Sequence, residues 1–382
     1  MTGRYLTKMK IAIITITDGQ NYGNRLQNYA MQQLLKKVGA EVDTIQRRTS
    51  RDIKGIDKVK TDIKHGIKLI LGKPSDKWRR VRRKRFQEFN KRYICFTETI
   101  LEKNQAPGDL KEKYDYFVCG SDQVWNAHFD IIQEDLKNYL AFFAAPEQKI
   151  AYAASFGTND IADGCEQVFS RYLSDFKAIG VRENSGVDLV REICGRRDAE
   201  VVLDPTMMLD MHEWRKISRK PENIQDDEFI VTYFLGGRDG NVGAYIKAVE
   251  EKYHCRSHHL DIEFKMDKEI LNPKDYVATP DEFVWMIEHA KCVLTDSFHA
   301  TVFAILFHKP FCVFERNASE AGNNMGSRIE TLLDRFGLLK YSGRLENMNV
   351  YPGEYDIEKV ENVLHAEREK SMDFLKRALE LS

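Results

Sequence analysis

The sequence predicts an α/β protein made of two Rossmann-like domains that face each other across a cleft. Three observations carry this. Short β-branched apolar runs recur along the chain, and each ends in a polar, often glycine-containing loop. Amphipathic helical patterns follow these loops, the alternation that a parallel sheet with crossover helices requires. The plan then restarts near residue 205 of a 382-residue chain, which is too long for one ordinary core.

The first domain is expected over residues 1–205. Lys10–Ile16 is apolar and β-branched, as a buried parallel strand should be. The loop TDGQNYGN leads into a helix whose Leu26, Tyr29, Ala30, Leu34 and Val38 share one face, with Gly39 placed as its C-cap. Further strands are expected at Tyr114–Cys119, Lys149–Ser155, Ala178–Arg182 and Glu200–Leu203.

The second domain is expected over residues 206–382. Phe229–Leu235 reads as a strand, followed by a Gly236-Gly237 turn and a helix to about Tyr253. Thr279 and Glu282 have capping-box spacing and Pro280 falls at the first helical position, so a helix should run to about Ala290. A strand at Cys292–Thr295, a helix from Phe298 and a strand at Phe311–Phe314 follow. Ser327 and Glu330 repeat the capping-box spacing, and Gly337 closes that helix. From about Tyr355 the pattern is a charged amphipathic helix.

Composition narrows the class. Hydrophobic residues make up 42% and charged residues 31%, with a formal net charge of −1, so overall charge points to no partner. No run approaches the ~18–20 apolar residues of a spanning helix. The early run IAIITI is too short for a signal peptide, so a cytoplasmic protein is expected. The seven scattered cysteines read as buried thiols. His254, Cys255, His258 and His259 lie in a strand-like alternation that sends neighbours to opposite faces, so no metal site is expected there. Residues 77–92, KWRRVRRKRFQEFNKR, are strongly basic with Trp78, Phe86 and Phe89 interleaved. They form either a solvated helix packing its aromatics or a contact to an anionic membrane face or lipid-linked substrate. No nucleic-acid motif accompanies them, and no nucleic-acid partner is expected.

Ligands of such folds collect at the carboxyl ends of the strands. Six segments there carry candidates. Asn21, Tyr22, Gly23 and Asn24 open a helix, and form either a tight turn or an anion- and acceptor-facing loop. In GSDQVWN, Asp122 either caps a turn or orients a sugar hydroxyl, and Trp125 either packs in the core or stacks on a sugar ring. The small residues of AYAASFG permit close backbone approach, for packing or for a ligand. Arg182 ends a strand, where its planar fork suits a carboxylate or phosphate, unless it pairs with Glu183. Asp296, Ser297, Phe298 and His299 open a helix whose free N–H groups and dipole favour an anion, and His299 can exchange a proton. Asp296 or Ser297 can equally be a simple cap. Ser327 and Arg328 close the polar loop NNMGSR, a surface loop or a flap that brings Arg328 to an anion.

The ordered set resembles the polysaccharide pyruvyl transferase family. It comprises MKIAIIT with NYGNRLQNYAMQQLLKKVGAEV, YDYFVCGSDQVWN, KIAYAASFG, VRENSG, LDPTMML with its tryptophan, and TDSFHATVFAILFHKPF before GSRIETLLDRFGL. The resemblance implies a fold like the GT-B glycosyltransferases. It also implies phosphoenolpyruvate as donor and a cyclic ketal placed across two hydroxyls of a sugar or lipid-linked oligosaccharide. Family members use two arginines and a histidine. Arg182 matches the first arginine and His299 the histidine, while Ser297 stands where the second arginine of an Arg-Leu-His motif would lie.

The implied roles are His299 as acid/base and Asp122 as hydroxyl orienter. Arg182, Ser297, Phe298, Ser327 and Arg328 would lie around the donor. Asn21 to Asn24, Asp122 and Trp125 would lie around the acceptor. No step calls for a redox cofactor or metal. A GT-B nucleotide-sugar glycosyltransferase and a non-catalytic carbohydrate-binding or assembly protein are the rival readings.

Overall fold

The structure, a computed structural model, describes residues 8–17, 19–47, 74–103, 109–236, 240–260, 272–315, 327–344 and 350–381. Asp18, Gly237 and the loop Asn323–Gly326 lie outside the described residues.

Seven parallel strands form the first sheet. They are β1 (Lys10–Ile14), β2 (Glu41–Arg47), β3 (Phe96–Leu101), β4 (Tyr116–Cys119), β5 (Lys149–Ala154), β6 (Ala178–Val181) and β7 (Glu200–Val201), in the order β3-β2-β1-β4-β5-β6-β7. Five parallel strands form the second: β8 (Phe229–Tyr233), β9 (Arg256–His259), β10 (Cys292–Thr295), β11 (Phe311–Glu315) and β12 (Ser342–Arg344), in the order β12-β11-β10-β8-β9. β1 and β8 therefore each mark a point where the winding reverses, with crevices between β1 and β4 and between β8 and β10. The strands that read as apolar runs are buried throughout: Ile11–Ile14, Lys149–Ala154 and Phe229–Tyr233 show almost no exposed residue. That is what helices on both faces of a sheet require.

The longer helices are α1 (Tyr22–Lys37), α2 (Pro74–Tyr93), α3 (Glu166–Leu173), α4 (Asn184–Cys194), α5 (Gly240–Tyr253), α6 (Pro280–His289), α7 (Phe298–Leu306), α8 (Ser327–Phe336) and α9 (Ile357–Ala378). Their ends follow the expected local chemistry. Asn21 caps α1 by accepting from the Gly23 amide at 2.8 Å. Thr279 and Glu282 form the capping box of α6, with Pro280 in its first turn. Several strands stop short of the sequence expectation, β1, β7 and β8 by two residues each, because their last residues leave the ladder to make loops.

The halves meet along an apolar seam. The Tyr22 ring stacks on Phe283 at 4.5 Å between centroids and lies 5.2 Å from Tyr233. Trp214 packs on Phe303 at 4.8 Å and on Tyr29 at 5.7 Å. One hydrophobic cluster runs from Ile11 and Leu26 through Phe283 and Phe303 to Leu375, so the cleft is filled at this end. The C-terminal helix, grouped with the second half in the sequence reading, returns to the first sheet. There Phe374 covers Gly180 and Tyr152, and Ser371 accepts the Leu203 amide at 2.9 Å. Its Arg335–Glu367 pair at 2.9 Å keeps it on α8 as well.

The basic run forms α2, and its inner face is structural. Arg82 is fully buried, donating to Tyr22 Oη at 2.9 Å, to Gln20 O at 3.0 Å and to Tyr276 O. Arg85 pairs with Glu282 at 2.6 Å, and Phe86 and Phe89 are buried. Lys77, Arg83, Lys84, Lys91 and Arg92 remain on the exposed side. All seven cysteines are free thiols; Cys95 is exposed, and Cys194 and Cys255 are half-buried rather than buried. No helix among the described residues is long and apolar enough to cross a membrane.

Candidate functional site

The crevice of the first sheet lies between β1 and β4, and the loops after these strands are tied together. Thr15 Oγ1 donates to Ser121 O at 2.9 Å, and Gln27 of α1 donates to Thr15 Oγ1 at 2.8 Å and to Asn24 O at 3.0 Å. Asn21 and Asn24 stay partly exposed at the start of α1. Gly23 is buried, and a Cβ there would collide with Nδ1 and Cγ of His299. A glycine is needed at this point for a steric reason: the second domain's histidine rests on its backbone.

Arg182 and Asp204 arrive from the ends of β6 and β7. Asp204 is 2% exposed, and its carboxylate is tied on both oxygens. Oδ1 accepts from the Thr206 amide at 3.0 Å and the Thr206 hydroxyl at 2.6 Å. Oδ2 accepts from Ser121 Oγ at 2.7 Å and from Arg182 Nη1 at 2.9 Å. His299 Nε2 lies 3.7 Å from the same Oδ2, an ion-pair distance rather than a hydrogen bond. Burial pushes the Asp204 carboxyl upward, but His299, Arg182 and the Thr206 hydroxyl outweigh it and hold the group well below the usual carboxylate range. Burial works against the Arg182 charge too, and Asp204, Asp122 and Glu183 more than offset it.

The second domain closes over this cluster. Ser297 caps α7, its Oγ accepting from the Ala300 amide at 3.5 Å. The Phe298 ring covers the Arg182 guanidinium at 4.3 Å from its centroid. Asp296 is not the helix cap: it accepts from the Leu235 and Gly236 amides, both at 2.7 Å, and so pins the loop after β8 across its own crevice.

The structure therefore brings together Gly23, Asp122, Arg182, Phe298 and His299. Arg182 is not the open clamp expected from sequence. Its side chain is 1% exposed, Nη1 is engaged by Asp204, and Nη2 sits 3.8 Å from Asp122 Oδ1. Nε and Nη2 make no hydrogen bond among the described residues. Nor does Arg182 pair with Glu183, which accepts Ser155 Oγ at 2.9 Å and the Phe156 and Gly157 amides at 3.0 and 3.2 Å.

Two acceptor candidates are corrected. Trp125 is 1% exposed, donates Nε1 to Tyr139 O at 3.2 Å and packs against Phe156 and Phe176, so neither ring face is open to a sugar. Tyr22 is fully buried in the domain seam, with its hydroxyl donating to Ala278 O at 3.1 Å. Ser327 lines a separate cleft of about 600 Å³ with Asn184 and Ser185, and Arg328 beside it is buried.

Sequence reasoning missed Asp204, Ser121 and Thr206 as site residues. The available signal was an Asp-Pro-Thr directly after a strand. Asp204 caps the short helix Pro205–Met208, and capping left one oxygen for Arg182. The histidine-rich strand holds no metal cluster. His258 contacts Asp275 at 3.0 Å and Asp226 at 3.2 Å, and no group of three or more His, Cys, Asp or Glu among the described residues is arranged to hold an ion.

Two wound parallel sheets with an Arg–Asp–His cluster at their junction define a two-domain α/β protein with a polar, charge-balanced centre. The sequence matches the family model for polysaccharide pyruvyl transferases over residues 21–317, and the chain belongs to that family. No match is found among curated protein sequences. Among solved structures, UDP-GlcNAc 2-epimerase from Methanocaldococcus jannaschii is similar at a TM-score of 0.48 and 11% identity, covering 94% of this chain and 92% of that one. MnaA from S. aureus, solved with UDP, gives 0.48 and 12%, covering 98% of each chain. UDP-GlcNAc 2-epimerase from Neisseria meningitidis, bound to UDP-GlcNAc, gives 0.44 and 10%, covering 95% and 100%.

Proposed function

We propose that this protein transfers a pyruvyl group from phosphoenolpyruvate to two hydroxyls of a sugar, as a ketal, in the assembly of a cell-surface or exported polysaccharide. The observation that carries the reading is the convergence of Arg182 and His299, from opposite domains, on one carboxylate. Both residues match positions that the family uses.

Phosphoenolpyruvate brings a carboxylate and a phosphate. Displacement of Phe298 exposes Arg182 Nε and Nη2, which have no hydrogen-bond partner among the described residues, to one of these anions. The amides at the start of α7 complete the neutralisation. Ser297 keeps α7 capped where other members carry an arginine. One sugar hydroxyl forms a C–O bond to the central carbon while the methylene carbon gains a proton. The bond to the phosphate oxygen then breaks with its electron pair, and the second hydroxyl closes the ketal. The two hydroxyl protons end on the new methyl group and on phosphate, so the balance needs neither redox cofactor nor metal. His299 is the acid/base. Asp122, 5% exposed, and the partly exposed Asn21 and Asn24 orient the acceptor.

The exposed cations of α2 support a reading in which the protein works at the inner, anionic face of a membrane, against a lipid-linked acceptor. Cosedimentation with anionic vesicles, abolished by Arg83→Glu with Lys84→Glu, is the expected result.

The reaction itself is tested by phosphate release from phosphoenolpyruvate with a panel of sugar glycosides, UDP-sugars serving as controls. Acceptor-dependent release supports pyruvyl transfer. Turnover of a UDP-sugar with phosphoenolpyruvate inert would instead establish a glycosyltransferase.

A further inference from the structure

His299 is held by the first domain on both edges of its ring. On one edge Nε2 is enclosed, has no hydrogen-bond partner among the described residues, and faces Asp204 Oδ2 at 3.7 Å. On the other edge the ring rests on Gly23, and Nδ1 is the nitrogen that keeps contact with solvent. Asp204 cannot turn away, because Thr206, Ser121 and Arg182 fix both of its oxygens.

We propose that Asp204 and His299 form a carboxylate–imidazole dyad, in which Asp204 holds the hydrogen of the neutral ring on Nε2 and Nδ1, above Gly23, is the atom that exchanges protons with substrate. Asp204 is a positioning residue and touches no substrate. Gly23 is its steric counterpart: the missing side chain leaves the room in which the His299 ring is seated. The proposal rests on the pyruvyl-transfer reading for the identity of that hydroxyl, but not for the ring geometry.

The physical reason is the acceptor-only character of an ionised carboxylate. Facing such a group, the neutral imidazole lowers its energy by presenting N–H, and this leaves the opposite nitrogen as the base. A carboxylate that fixes a histidine's tautomer in this way is worth orders of magnitude in rate where it has been removed. The 3.7 Å separation is longer than a hydrogen bond, and such contacts tighten when substrate binds. The location fits the role. Nδ1 lies against Gly23 in the first turn of α1, and Asn21 and Asn24 on either side of that glycine in sequence retain partial exposure.

The test is nitrogen NMR of the full chain labelled at histidine, with the His299 signals assigned by their loss in His299→Gln. The wild type is expected to show the Nε2–H tautomer, and phosphoenolpyruvate is expected to move the Nδ1 signal more than the Nε2 signal. In Asp204→Asn, with fold checked by circular dichroism, the Nε2–H population should fall at least threefold relative to the other tautomer. Because Asp204→Asn removes charge from a buried cluster, Gly23→Ala provides a second variant, in which the helical backbone of α1 accepts alanine while the new Cβ forces the His299 ring to shift. It should move both His299 signals and weaken phosphoenolpyruvate binding at least tenfold. An Nδ1–H tautomer in the wild type, an unchanged tautomer in folded Asp204→Asn, or unmoved His299 signals in Gly23→Ala would each overturn the dyad. If the wild type ignores phosphoenolpyruvate, pyruvyl transfer is contradicted and the tautomers alone decide the dyad.

Discussion

His299 Nε2 lies 3.7 Å from Asp204 Oδ2, although the histidine belongs to the second domain and the aspartate follows the last strand of the first. The site is thus assembled by docking of the halves rather than within either one. The docking is secured nearby by Tyr22, which stacks on Phe283.

His299→Ala removes the acid/base. Turnover with the accepted sugar should fall by ~10²-fold or more at temperatures where the variant is still folded, although loss of the buried ring beside Asp204 lowers the unfolding midpoint. Steady-state kinetics beside a thermal melt checks this, and turnover within about threefold of wild type would exclude the role.

Arg182→Ala should be destabilising as well as inactivating. It leaves the Asp204 carboxylate, fully buried, without its closest cation. Breaking a buried pair from one side costs about 3–5 kcal/mol, which denaturant titration can measure. The double variant Arg182→Ala/Asp204→Asn should recover part of that loss, because it no longer buries an unpaired charge.

Tyr22→Ala should loosen the two halves. It opens a cavity against Phe283 and Tyr233 and costs about 3–5 kcal/mol. Tyr22→Phe keeps the stack and loses only the hydroxyl contacts to Ala278 and Arg82, a cost of about 1–3 kcal/mol. Paired urea titrations distinguish the two.

His258 gives a pH signature remote from the site. Burial lowers its pKa, but Asp275 and then Asp226 outweigh that and leave it above the ordinary histidine value. The stabilisation is therefore complete below the unfolded value of about 6.5 and is lost as pH rises through the folded pKa. Stability measured from pH 5 upward should decline across that window in the wild type and flatten in His258→Gln.

Much of the fold was legible because parallel strands buried on both faces read as apolar runs, and because capping chemistry is local. Thr279, Pro280 and Glu282 announced α6 without help from the rest of the chain. His299 and Arg182 were legible as polar residues at strand ends. What the sequence did not disclose was tertiary. Trp125 looks the same in a sugar platform as in a core, and only the neighbours Phe156 and Phe176 decide between them. Asp204 was visible only as part of the segment LDPTMML, with no role of its own, because its meeting with Arg182 and His299 is made across separate strands and across the domain seam. The basic run likewise concealed Arg82, whose burial depends on carbonyls of Gln20 and Tyr276 that are far away in sequence.

The central claim is tested most directly by calorimetric titration of the purified protein with phosphoenolpyruvate, with free phosphate and UDP-sugars in parallel cells. The account predicts saturable phosphoenolpyruvate binding that weakens at least tenfold in His299→Ala. Binding of a UDP-sugar alone, with no heat from phosphoenolpyruvate, would contradict it.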